Sequence, residues 1–184
     1  MTLADGKRKV YMLLDEYSSG GAVTPDADIE LRMADFFDTA QKLVCAVKPI
    51  RKLYTVEREE DVTEYAMPDD FRKLICVRRG GKKTRRYPWK AGKIVIPETE
   101  TEDVEIEYAA YPTTINQETQ DSYVFEVAED AAQATCFYVA SQQLISDLVL
   151  DYTALRSEWA AALAAITPDD EGGVTMRQAL FGGR

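Results

Sequence analysis

Histidine is absent from all 184 residues. That absence removes the usual general base, the usual zinc ligand and every Ser-His or Cys-His nucleophile pair. Cysteine is nearly as scarce. Cys45, Cys76 and Cys136 are far apart, odd in number and each set in an apolar run, a pattern of reduced core thiols rather than of a disulfide framework. No apolar run is long enough to span a bilayer. Met1 to Tyr17 mixes Asp5, Lys7, Arg8 and Lys9 with scattered apolar residues, unlike the core of a signal peptide, so the chain is expected to stay in the cytoplasm where it is made. Glycine-rich phosphate loops of the Walker or dinucleotide type are missing as well. The expectation is a protein that is not an enzyme, with no catalytic residues, no cofactor, no metal and no membrane partner.

What is present is an ordinary globular composition, 46% apolar and 29% charged, enough for one domain with an insertion. The net charge of −10 is unevenly placed. Ten of the 22 Lys and Arg residues fall between Arg72 and Lys93, a stretch without a single acid, so the rest of the chain sets 12 bases against 32 acids. The sequence describes an acidic body with one basic element.

Helical periodicity marks both ends. Val10, Leu13, Leu14 and Tyr17 recur at helical spacing and are followed by Ser18-Ser19-Gly20-Gly21. After Thr24-Pro25-Asp26, residues Ile29, Met33, Phe36, Phe37, Ala40, Leu43, Val44 and Val47 form an apolar stripe that Pro49 stops. Past Tyr123, residues Val127, Ala131, Ala134, Phe137, Tyr138, Leu144, Ile145 and Leu148 fit one face of a long helix. Tyr152, Leu155, Trp159, Leu163 and Ile166 fit another that Pro168 closes.

Between Arg51 and Pro112 the period changes to two. Leu53–Val56, Leu74–Val77, Lys93–Ile96 and Val104–Tyr108 are short β-branched or aromatic runs separated by turn residues. The expected fold class is therefore α+β, a mainly α-helical bundle of about four helices with a small antiparallel β subdomain inserted. Residues 1–50 and 113–166 would build the bundle, 51–112 the insertion, and 167–184 a flexible C-terminal tail.

Gly80-Gly81 predicts a hairpin that carries Arg78, Arg79, Lys82, Lys83, Arg85 and Arg86 near its tip. Such a cluster suits an acidic surface on a neighbouring subunit or partner. It also suits nucleic-acid phosphates, so a nucleic-acid-binding module using Arg78 to Arg86 is the alternative reading; a solvated tip with no task is the bland one. Tyr87 and Trp89 beside it fit sheet packing better than base stacking. Glu105 and Glu107, two apart on a strand, share a face and could hold a divalent cation, the basis of a third reading as an acid-dependent metal enzyme. In the tail, Met176, Leu180 and Phe181 would form one apolar edge on docking to a partner.

The order of several short motifs adds to this. Asp28-Ile29-Glu30 with Met33, Phe36 and Ala40-Gln41 is followed by Tyr65-Ala66-Met67-Pro68-Asp69-Asp70-Phe71, then Ile94-Val95-Ile96-Pro97. Ile106-Glu107-Tyr108 with Tyr111-Pro112 comes next, and Tyr138-Val139-Ala140-Ser141 last. Over roughly residues 5 to 166 this series resembles the head-to-tail adaptor (connector) proteins of tailed bacteriophages. The resemblance implies a virion structural protein of the neck, made in the host bacterial cytoplasm. It would be a homo-oligomeric ring, commonly twelve-fold, bound to the portal protein above and to a downstream tail or stopper protein below. DNA would pass through the lumen without sequence-specific binding. The basic hairpin would then meet acidic surface on a neighbour, and the tail would dock on the portal or another partner.

Overall fold

Thr2 and Asp5 begin the first helix. The Thr2 hydroxyl accepts the Asp5 amide at 3.2 Å and the Asp5 carboxylate accepts the Thr2 amide at 3.1 Å, a reciprocal box that satisfies two donors otherwise left open at a helix start. The computed structural model describes residues 1–17, 27–84, 87–90, 92–100, 103–146 and 152–166. Their order is α1 (Leu3–Tyr17), α2 (Ala27–Val47), seven strands, α3 (Glu129–Ser146) and α4 (Thr153–Ala165). The strands are β1 (Ile50–Val56), β2 (Glu64–Ala66), β3 (Phe71–Arg79), β4 (Lys82–Thr84), β5 (Trp89–Lys90), β6 (Lys93–Val95) and β7 (Val104–Ala110).

The chain divides into two compact units. Among the described residues, those up to Lys48 and from Pro112 to Ile166 form the first, and those from Pro49 to Tyr111 form the second. In the first unit α3 is the helix against which α1, α2 and α4 all pack. Its sequence explains why. Ala131, Ala132, Ala134, Thr135, Cys136, Val139, Ala140 and Ser141 are all buried, and side chains this small allow helices to approach on several sides. Tyr138 meets Trp159 of α4 with ring centroids 5.4 Å apart.

On α2 the buried positions are Met33, Ala34, Phe37, Ala40, Gln41, Val44 and Cys45. Gln41 is tolerated inside because its amide donates to the Thr113 carbonyl at 2.7 Å. Asp38 likewise accepts the Ile115 amide at 3.0 Å, so α2 anchors the segment that leads to α3. Leu43, expected in the core, is 44% exposed. The stripe is centred on Met33, Phe37, Ala40 and Val44, which turns Leu43 outward.

The second unit holds two antiparallel sheets, ordered β1-β7-β3-β4 and β2-β6-β5. Val56, Val77, Val104 and Ile106 from the first sheet pack with Tyr65, Ile94 and Ile96 in one small core. β7 is the template strand, paired with β1 in unbroken register from Ile50↔Ala110 to Val56↔Val104. On its other side it pairs with β3 across two register shifts.

These elements correct the expected fold class. The described residues form an α+β structure with four helices and seven strands in two antiparallel sheets, not a mainly helical bundle with a minor β insertion. The sheets were underestimated because Glu64–Ala66, Lys82–Thr84 and Trp89–Lys90 are too short and too polar to show an apolar period of two. The number of helices is not what changes: four are described, and it is the two sheets beside them that outweigh a small insertion. Helices 3–17, 27–47 and 153–165 do lie where periodicity placed apolar stripes. Leu148 lies outside the described residues.

Candidate functional site

The basic hairpin is built by local turn chemistry. Arg79 pairs with Lys82 across a two-residue loop, and Gly80 and Gly81 have φ of 50° and 73°. A tight hairpin turn with positive φ at both central residues matches the twist of its strands, and glycine adopts that backbone without steric cost. Register then fixes the charges. Arg78 lies opposite Lys83, and Arg79 opposite Lys82, so like charges face each other on both surfaces of the ribbon, an arrangement that costs stability unless anions lie near.

Two carboxylates of the same unit answer part of that charge. Arg78 Nη2 donates to Glu107 at 2.7 Å, and Arg51 Nη1 reaches the same carboxylate from the far side at 3.4 Å. The Cys76 thiol completes the set at 3.2 Å from Glu107 Oε2. The hydrogen bond from Arg78, and then that from Cys76, hold the Glu107 carboxyl below the usual glutamate range against the opposing effect of burial. Burial, and then the Glu107 carboxylate, push the Cys76 thiol up. Cys45 and Cys136 are buried thiols as expected, but Cys76 is only half-buried and serves as a polar donor, which corrects its reading as core. All three are free.

On the other surface of the ribbon, Arg79 Nε lies 2.7 Å from Glu100. The Tyr87 hydroxyl donates to the second Glu100 oxygen at 3.1 Å. Trp89 stacks on Phe71 with centroids 5.4 Å apart and planes at 29°. Both aromatics beside the hairpin are thus engaged with protein groups. Lys82 and Lys83 are exposed on the outer strand. Arg85 and Arg86 lie outside the described residues, as do Met176, Leu180 and Phe181.

Glu105 and Glu107 do share a face of β7, as their spacing predicts, and with Arg51, Lys52, Leu53 and Arg78 they line an open cleft of about 280 Å³. The cationic positions beside Glu107 are filled by two guanidinium groups. Among the described residues no group of three or more Cys, Asp or Glu side chains is placed to hold a metal ion. Among them, too, no helix is long and apolar enough to cross a membrane.

Two features escaped sequence reasoning. One is the clamp of Arg51 on Glu107, a partnership 56 residues apart that only strand register reveals. The other is the turn after β1, where Glu57, Glu59, Glu60 and Asp61 are all exposed. Its signal, four acids in five residues, was legible in the chain. Asp61 adopts φ of 63°, a left-handed backbone that aspartate tolerates better than most residues. The arrangement as a whole offers charged docking edges and hydrogen-bonding groups; its one thiol–carboxylate contact, Cys76 with Glu107, has the thiol pushed up and the carboxyl held down, which disfavours proton transfer between them. Compared with protein-family models and with curated proteins, the chain returns no match to either.

Proposed function

We propose that this protein is a structural head-to-tail adaptor of a tailed phage, a ring subunit beneath the portal that joins head to tail in the virion neck and lets DNA pass. The observation that carries this reading is the order and spacing of the motifs from Asp28-Ile29-Glu30 to Tyr138-Val139-Ala140-Ser141, which resembles that family over most of the chain. Charge supports it. A chain with 32 acids and one basic segment repels DNA over most of its surface, so DNA could slide past without sticking. The same partition gives one subunit both a positive and a negative surface, as a head-to-tail ring contact uses.

Binding of nucleic acid through the hairpin is less well supported, because Arg78 and Arg79 already meet Glu107 and Glu100. The deciding measurement is the mass of the purified protein by light scattering over a concentration series, alone and mixed with a portal. A ring in either sample is the expected result. A monomer that ignores the portal overturns the adaptor reading. Tight DNA binding that weakens with salt, at a log-log slope of about −0.9 per phosphate neutralised, would put the nucleic-acid module in its place.

A further inference from the structure

One row of residues crosses the whole larger sheet. Val56 pairs with Val104, Val104 with Arg79, and Arg79 with Lys82. The basic strand β4 and the end of β1 therefore lie at the same end of the sheet but on opposite edges, about 14 Å apart at the usual strand spacing. Directly after Val56 come Glu57, Glu59 and Glu60, exposed carboxylates that meet no cation among the described residues. One end of the sheet is thus negative at its β1 edge and positive at its β4 edge.

Both edges are open among the described residues. β1 offers seven residues in regular register, with no proline and no bulge. Sheet edges in monomeric proteins are commonly blunted by such devices, and an edge without them is a template for another chain. Its one lysine, Lys52, is turned to Asp70 at 2.7 Å. Strand directions alternate across β1-β7-β3-β4, which is an even number of strands. A second copy shifted sideways by one sheet width therefore sets its β1 antiparallel to β4 of the first. That shift brings Glu57, Glu59 and Glu60 of one copy beside Lys82 and Lys83 of the other.

The geometry points to a head-to-tail contact between copies of this chain, with the β4 edge of one subunit against the β1 edge and acidic turn of the next. The occupant of each edge is a second copy, chosen by charge complementarity and by matching strand direction. The contact is heterologous, so repetition generates a closed ring or a filament. For its ring it rests on the adaptor reading.

The test uses two full-length variants, Lys82→Glu with Lys83→Glu, and Glu57→Lys with Glu59→Lys and Glu60→Lys. All five positions are exposed, so circular dichroism should show both variants folded. Light scattering is recorded at low salt, with and without portal. Each variant alone should associate at least about tenfold more weakly than the parent protein. An equimolar mixture of the two should recover association, because each interface in an alternating assembly again joins opposite charges. Unchanged association of the separate variants, or a mixture that stays dissociated, overturns the edge contact and leaves the adaptor reading standing. A parent protein that is monomeric with and without portal overturns both.

Discussion

The two units of this chain are held together by different chemistry. In the helical unit the large buried side chains are Phe37, Leu3, Met33, Ile115, Leu155, Val10 and Val44, and the buried polar groups Gln41 and Gln143 each donate to a backbone carbonyl. The β unit has a core of seven buried residues. Around it run the Arg78–Glu107–Arg51 clamp and the pairs Arg79–Glu100 and Lys52–Asp70. The contrast shows how one chain can divide its tasks. The helical unit has ion pairs too, but the carboxylates that meet Lys7 and the N-terminus, Asp121 and Glu129, are 61% and 64% exposed, whereas Glu107 and Glu100 are each only 12% exposed, so salt and pH should act more strongly on the β unit.

The largest effect should come from breaking the packed unit. Phe37 is fully buried, with its ring 5.4 Å from that of Phe125. Phe37→Ala should cost about 3–5 kcal/mol through lost burial and a cavity that α3 and its neighbours only partly fill. Urea denaturation checks this, and the loss should be the same at low and high salt. A loss that shrinks on adding salt would mean that the helical unit also depends on charge.

The β unit should break through Glu107 instead. Glu107→Gln leaves Arg51 and Arg78 around a neutral amide and should cost about 2 kcal/mol at neutral pH, the worth of a hydrogen bond to a charged group. The folded-state carboxyl titrates below its ordinary 4.5. Its contribution is therefore complete above that value and is lost as pH falls through the lower, folded-state value. The gap between parent and variant should be widest at neutral pH and close on acidification below 4.5. A gap constant down to strongly acidic pH would show that the loss comes from shape and not from charge.

Local chemistry was legible in the sequence, and distant pairing was not. Gly80-Gly81 announces its hairpin because positive φ at both positions is a property of two adjacent residues. The stripe from Met33 to Val44 announces α2 for the same reason, and the box of Thr2 and Asp5 could have been read at the start of α1. The burial of α3 on several faces could not, since it depends on helices that arrive from both ends of the chain. Glu105 and Glu107 were placed correctly on one face, yet the partner of Glu107 was not foreseeable. Arg51 reaches it only because β1 pairs with β7 in the register Arg51↔Ala109 and Leu53↔Glu107. Residues of the candidate site were thus identifiable by type, while their neutralisation by Glu107 and Glu100 was a property of the folded sheets.

Two glycines sharpen the comparison at smaller scale. Alanine ordinarily stabilises a helix relative to glycine, but a Cβ on Gly6 would meet Phe37 Cζ at 3.0 Å. The Phe37 ring would have to shift by a few tenths of an ångström while it packs against Phe125, so Gly6→Ala should cost about 1–2 kcal/mol through overpacking. Gly81 has open space around its Cβ position but a φ of 73°. Gly81→Ala should cost about 1 kcal/mol through backbone strain alone. The two costs have separate remedies. Asparagine enters the left-handed region more readily than alanine, so Gly81→Asn should recover part of the loss at the hairpin. At Gly6 the larger side chain should make matters worse. Thermal denaturation of the four variants reads the difference, and an equal response to asparagine at both sites would show that the hairpin turn is limited by space after all.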